Sequence, residues 1–162
     1  MTASQDAAAV IEGVIRCLVH EGIADSWNIR GCDEAEVRTV EAKAGAPLPE
    51  SYRQFLLRLG WSAGCLFRGT DMLYPSVLNL RDWAEELLRE DGAGFCLPGN
   101  AFVFSMHQGY QFLYFPIDPA LPDPPVYHYF EGDGVAKEVA PSFSAYLRAS
   151  VADHVRLKAS RA

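Results

Sequence analysis

The side chains that most often act as nucleophiles or metal ligands are scattered through this chain. They are Cys17, Cys32, Cys65, Cys96, His20, His107, His128 and His154. They form neither a C-x-x-C pair nor an H-E-x-x-H motif, and no third ligand accompanies His107 and His128 on their predicted strands. G-x-S-x-G, P-loop and G-x-G-x-x-G motifs do not occur either. We therefore expect a non-catalytic protein without metal or cofactor. A hydrolase that uses Cys65 or His107 is kept as a less favoured hypothesis.

The charge of the chain permits a different function, the binding of a basic protein. The chain has 162 residues and a formal net charge of −7. Between Gly69 and Glu138 there are eleven acidic residues and three basic ones, so this segment carries the negative charge. Nucleic acids and anionic membranes are polyanions, so neither is an expected partner.

Two groups of carboxylates are candidates for contact with such a partner. One predicted helix carries Asp82, Glu85, Glu86 and Glu90, of which the first three share a face. A proline-rich loop over residues 116–125 carries Asp118 and Asp123. An ordinary solvated surface is the favoured interpretation for most of these residues, and a docking face is the alternative. Tyrosines of the predicted strands could add aromatic contacts, and alternation predicts that about half of them are core: Tyr110, Tyr114, Tyr127 and Tyr129.

The first group of carboxylates lies on one of the predicted helices. Helical spacing and capping residues predict a helix over residues 6–21 and another that starts at Asp33, with Glu36 completing a capping box, and ends at Gly45. A third begins at Pro49 and ends at Gly60. A fourth begins at Asn79, has Trp83, Leu87 and Leu88 on its apolar side, and ends near Gly92. The last predicted helix begins at residues 141–142.

Strands follow in the second half of the chain. Alternating and aromatic segments predict strands over residues 102–106, 111–115, 126–130 and 135–139, with a hairpin through Gly109 and a further short strand at 64–67. The order of elements predicts a single-domain α+β protein. Its N-terminal helices pack on a mostly antiparallel central sheet, and a helix ends the fold.

The chain divides into three parts in this interpretation. Residues 1–30 form an N-terminal helix and a connector that pack on the domain, residues 31–152 form the main domain, and residues 153–162 form a frayed tail. The N-terminus lacks a basic region followed by an apolar run, and no stretch is long enough to span a membrane. We expect a cytoplasmic protein with reduced thiols, either a monomer or a weak dimer.

One segment of the sequence resembles a known family. Val37-x-x-Val40-Glu41, Leu48-Pro49-x-x-Tyr52-x-x-Phe55-Leu56 and Gly60 are similar to the signature of the SUKH superfamily, which includes the yeast Smi/Knr cell-wall regulators and many bacterial immunity proteins. Later landmarks follow in the family's order, namely Gly109, Pro125-Val126 and Ser142-Phe143-x-x-Tyr146-Leu147. The chain departs from the family at Leu59-Gly60-Trp61, where Asn-Gly-Gly is common.

The signature residues have a structural interpretation. Leu48, Tyr52 and Phe55 are spaced to pack one helix on the sheet, and Pro49 suits the first turn of that helix. Glu41 could cap locally or pair with Arg53.

The resemblance implies a compact α+β fold without a known catalytic site. It also implies an immunity protein that binds and neutralises a cognate protein toxin, in many relatives a nuclease. The alternative is a regulatory protein-interaction scaffold like the yeast relatives.

Overall fold

Capping residues mark where the helices begin. The computed structural model describes residues 2–92 and 94–162. Thr2 and Gln5 form a capping box at the first helix, and Asp33 and Glu36 form the predicted one at the second. The helices are α1 (Ala3–His20), α2 (Glu34–Ala44), α3 (Glu50–Leu59), α4 (Leu80–Asp91) and α5 (Phe143–Ser160). Among the described residues, no helix is long and apolar enough to cross a membrane.

Glycines end two of these helices in different ways. Gly45 has a φ of 75°, the left-handed conformation expected after α2. Gly60 follows α3 as predicted, but with an ordinary φ of −61°. A Cβ atom at Gly60 would lie 2.5 Å from the carbonyl oxygen of Leu56 and 2.6 Å from Cys32 Sγ. Glycine is therefore required there by close packing rather than by its backbone freedom.

The strands form two antiparallel sheets. A two-stranded sheet pairs β1 (Ile29–Arg30) with β2 (Ser62–Ala63). The main sheet has four strands in the order β3-β4-β5-β6, each antiparallel to its neighbour. These are β3 (Ala101–His107), β4 (Gln111–Pro116), β5 (Val126–Phe130) and β6 (Lys137–Ala140). The predicted α+β fold and the hairpin through Gly109 are confirmed.

Three predictions about the elements differ from the structure. The predicted strand at 64–67 is wrong, because Gly64 and Phe67 have positive φ angles and the segment turns. The last strand begins at Lys137, two residues later than the predicted 135. The tail predicted to fray over 153–162 is helical to Ser160, and Lys158 Nζ donates hydrogen bonds to the carbonyl oxygens of Glu21 and Gly22 at the end of α1.

Helices cover both faces of the main sheet. Tyr52 of α3 packs its ring against Phe102, Phe115 and Phe143, in a fully or largely buried aromatic cluster that joins α3, the sheet and α5. Phe112 is three positions from Phe115 on β4 and points to the other face, where it stacks on Tyr129. Helix α4 lies on that second face, and α1 packs on α3 and α5 on the first.

Candidate protein-binding surface

Helix α4 turns one face to the sheet and the opposite face to solvent. Leu80, Ala84 and Leu87 are buried. The exposed side carries the four carboxylates that we call the α4 acidic face: Asp82, Glu85, Glu86 and Glu90. Asn79 stands at the N-terminus as predicted, but its side chain makes no capping hydrogen bond, because the chain enters α4 directly from the 3₁₀ turn at Ser76–Leu78.

Two carboxylates of the α4 acidic face already have cationic partners. Lys43 Nζ lies 3.0 Å from Asp82 Oδ2, and Arg81 Nε lies 2.9 Å from Glu85 Oε1. Such exposed pairs contribute about 0–1 kcal/mol each. Glu86 and Glu90 have no ion pair or hydrogen bond within the described residues. These two carboxylates are therefore the ones most available to a basic partner.

Trp83 borders the α4 acidic face. It is 39% exposed, although the sequence pattern places it on the apolar side of the helix. Its position 100° from Asp82 around the helix puts it between Glu90 and the buried Leu87. The helical spacing of the sequence alone indicates this border position. An exposed indole beside carboxylates is an arrangement suited to protein contact, since tryptophan is enriched among residues that dominate interfaces.

Asp91, the last acidic residue of α4, has a structural role. The hydroxyl of Tyr129 donates a hydrogen bond to Asp91, and the Gly132 N–H donates another over 3.0 Å. These hydrogen bonds hold the pKa of Asp91 below its ordinary value. Burial and the contact with Asp91 raise the pKa of Tyr129 to about 12.

The same contact joins α4 to the turn between β5 and β6. That turn carries Glu131 and Asp133, which are both exposed. Lys137 Nζ lies 2.8 Å from Asp133 Oδ2, so Asp133 is partly neutralised. The negative surface therefore extends from α4 onto this turn. It does so because Asp91 contacts residues that are about forty positions away in the sequence.

The second predicted group lies elsewhere and has local partners. Asp118 Oδ1 accepts a hydrogen bond from the Ala120 N–H over 2.8 Å and shapes the proline-rich loop. Asp123 Oδ1 accepts one from the Ser144 N–H over 3.0 Å at the start of α5. No hydrogen bond or ion pair in the part of the chain that is described connects these carboxylates with the α4 acidic face.

The signature residues are part of the fold. Leu48, Tyr52 and Phe55 are buried, and Pro49 immediately precedes α3. Glu41 Oε1 accepts a hydrogen bond from the Leu48 N–H over 3.1 Å, so its local capping role is confirmed.

The suggested pairing of Glu41 with Arg53 is wrong. Arg53 reaches back to Glu34 at the start of α2 instead. Glu41 is already engaged with the backbone that leads into α3.

The tyrosines of the strands divide evenly between core and surface. Tyr114 and Tyr129 are buried, whereas Tyr110 and Tyr127 are partly exposed. This agrees with the expectation that about half are core.

The candidate nucleophiles and ligands lie in separate places. His107 and His128 line one small cavity, whereas Cys65 lies with His154 in a groove beside the end of α5. Cys32 is buried, and burial raises the pKa of its thiol to about 12, which disfavours the reactive thiolate. Among the described residues, no three His, Cys, Asp or Glu side chains could hold a metal ion together.

Comparison with known proteins identifies the family of this chain. The model of the SMI1 / KNR4 family (SUKH-1) matches residues 31–149, from the end of β1 into α5. No match was found among curated proteins. The matched part contains the signature residues, the α4 acidic face and the whole main sheet. The match covers most of the chain, and the chain therefore belongs to the SMI1/KNR4 (SUKH-1) family.

Proposed function

We propose that this chain is an immunity protein that binds a cognate protein toxin through the α4 acidic face and blocks it. The family includes immunity proteins, and its members are generally non-catalytic immunity or regulatory proteins. The observation that carries the proposal is a pair of carboxylates without a partner among the described residues, Glu86 and Glu90, on an exposed helix face beside Trp83.

The charge of this face suits a toxin with a basic surface, such as a nuclease. An enzyme that acts on nucleic acid must attract a polyanion and therefore has a positively charged cleft. Glu86 and Glu90 would enter that electrostatic field first. The carboxylates would accelerate association, and Trp83 would supply contact area that is desolvated in the complex.

Blockade needs no chemical step by the immunity protein. A rigid body seated over the cleft excludes the substrate by volume and by charge. We propose that it acts in the cytoplasm, where it would meet the toxin as a monomer or weak dimer. The proline-rich loop with Asp118 and Asp123 is a second contact region in this proposal.

The first test is growth rescue. The chain is co-expressed with candidate toxins, and survival identifies the cognate one. The Glu86→Lys/Glu90→Lys variant should rescue poorly, whereas Asp25→Lys should rescue fully, since Asp25 is an exposed carboxylate on the loop before β1. Failure to rescue from any toxin would favour the regulatory scaffold, and equal rescue by all three proteins would remove the α4 acidic face from the proposal.

Salt provides the second test. Exposed charges are screened beyond about 8 Å at physiological ionic strength, so steered association slows as salt is added. We expect the association rate with the toxin to fall with ionic strength in the wild type and much less in Glu86→Lys/Glu90→Lys, as measured by stopped-flow fluorescence. Association that is independent of salt would contradict the electrostatic role.

A further inference from the structure

A small polar cavity lies on the sheet face opposite α4. It has a volume of about 160 Å³ and lies between β3, β4 and β5, the first turn of α5 and the loop that follows β2. Its polar lining consists of Thr70, Ser105, His107, Gln111, His128 and Tyr146. None of the described residues that line it is an aspartate, glutamate, lysine or arginine.

The two histidines are fixed in place by one ring nitrogen each. His107 Nδ1 lies 3.0 Å from Thr70 Oγ1, and His128 Nε2 lies 2.8 Å from Gln111 Oε1. The other nitrogen of each ring has no hydrogen-bond partner in the described residues. Neither belongs to the buried side-chain atoms without a partner, which are Ser51 Oγ and Tyr52 OH in the described chain. Both nitrogens therefore retain some exposed surface and can form a further hydrogen bond.

Burial favours the neutral form of His128, one of the two histidines that line the cavity. It lowers the pKa of His128, and Lys137 acts in the same direction while Asp133 opposes it. Burial also raises the pKa of the Tyr146 hydroxyl, whose hydrogen bonds with Ser150 and Ser105 act against that rise. Neutral imidazole and phenol groups offer hydrogen bonds without a charge to be balanced.

Two aromatic rings adjoin the histidines that line the cavity. Phe130 is 41% exposed and packs edge-on against Tyr110, with ring centroids 5.4 Å apart. His107 and His128 adjoin this pair, at 6.0 Å from Tyr110 and 6.4 Å from Phe130. A ring bound beside the two histidines would thus have further aromatic rings nearby.

We propose that this cavity receives one tyrosine side chain of the protein partner. The inference rests on the proposed function, because the partner is the toxin. A space of about 150 Å³ is enough for one benzene-sized ring. A phenol hydroxyl can donate to an unprotonated imidazole nitrogen or accept from a protonated one, so it fits either tautomer. A carboxylate, ammonium or guanidinium group would lose its hydration without gaining an opposite charge.

The cavity and the α4 acidic face can serve one partner. His128 and Phe130 flank Tyr129 on β5 and point to the opposite face from it, and Tyr129 holds the end of α4 through Asp91. The exposed turn that follows Phe130 connects the two faces of the sheet. A toxin that contacts this turn can reach both sites, with charge setting the rate of association and the buried ring setting the rate of dissociation.

The cavity is tested first without any toxin, with p-cresol as the probe of a tyrosine side chain. The ring-proton NMR signals of His107 and His128 should shift in a saturable manner, while those of His20 and His154 stay unchanged. Toluene should bind about fivefold to tenfold more weakly, since it lacks one hydrogen bond. p-Toluate should bind more weakly than p-cresol because of its charge. Equal affinity for p-cresol and toluene, or equal shifts at all four histidines, would overturn the proposal.

A matched pair of variants locates the binding. His128→Leu should reduce p-cresol affinity to that of toluene, whereas His20→Leu, at an exposed position on α1, should leave it unchanged. If His128→Leu strongly lowers the melting temperature, His107→Leu makes the same test from β3. Unchanged p-cresol affinity in a folded His128→Leu or His107→Leu variant contradicts the assigned site.

The toxin found by growth rescue gives the last test. We expect His128→Leu to increase its dissociation rate by roughly tenfold or more, in the range of interface hot spots, with little effect on association. An unchanged dissociation rate would overturn the anchoring role even if p-cresol binds. Absence of any rescued toxin would overturn the proposed function instead, and the p-cresol experiment would still decide whether the cavity takes a phenol.

Discussion

Two buried tyrosines differ in what their hydroxyl groups do. Tyr52 is fully buried among aromatic rings, and its hydroxyl is one of the buried atoms without a partner among the described residues. The hydroxyl of Tyr129 donates to Asp91. Removing an unpaired buried hydroxyl costs little or stabilises, whereas removing one partner of a hydrogen bond leaves the other unsatisfied.

The first prediction compares the same substitution at both positions. Tyr52→Phe should change the free energy of unfolding by less than about 1 kcal/mol, or raise it. Tyr129→Phe should lower it, because Asp91 loses a donor. Urea denaturation measures both. A large loss of stability in Tyr52→Phe would show that its hydroxyl has a partner and that the signature tyrosine is more than a packing residue.

The second prediction concerns pH. The pKa of Asp91 lies below its ordinary value of 3.8 in the folded state, so its stabilising contribution is present above that value and is lost as the pH falls through the folded pKa. The difference in unfolding free energy between wild type and Asp91→Asn should therefore shrink below about pH 4. Denaturation curves from pH 3 to pH 7 measure it, and a difference that is constant over this range would contradict the assignment.

Sequence patterns predict those helices and strands whose interactions are local. They do not predict the elements that depend on contacts between distant segments. The capping box of Asp33 and Glu36 and the stripe on α3 are local, and both were predictable. Strand β2 exists because Ser62–Ala63 pairs with Ile29–Arg30, more than thirty positions earlier, and no local pattern marks it. The link from Asp91 to Gly132 and the cavity between His107 and His128 depend in the same way on how distant segments pack.

The third prediction tests close packing at the end of α3. Gly60→Ala should cost about 1–3 kcal/mol or more, since the added methyl group overlaps the Leu56 carbonyl and Cys32 and must displace backbone. Gly99→Ala is the control, because a Cβ atom there meets nothing within 4 Å. Thermal unfolding of both variants measures the difference. Equal stability would show that the helix end relaxes freely.

At the scale of the whole molecule, the folded unit is larger than the part that matches the family. Helix α1 precedes residues 31–149 but buries Ile11, Val14 and Leu18 in the same core as α3 and α5. Lys158 of α5 also bonds to the end of α1. Helix α1 thus packs as an integral part of this core.

The fourth prediction tests whether α1 unfolds together with the rest of the core. Val14→Ala should lower the free energy of unfolding by about 1.5–3 kcal/mol, since Val14 is 4% exposed. Val19→Ala, where the side chain is 46% exposed, should have a much smaller effect. Removal of residues 1–22 should abolish cooperative unfolding. A chain that begins at residue 23 and still unfolds in one sharp transition would show that α1 is an appendage.

Of the five acidic residues of α4, Asp91 holds the helix to the sheet and to the β5–β6 turn, and the other four are exposed. The carboxylate that holds Tyr129 and the β5–β6 turn points toward the sheet, and the other four point away from it. Those four can be exchanged, reversed or neutralised at little expense to folding. Under the proposed function, the charge of this face can therefore change with that of the partner while α4 stays fixed to the sheet.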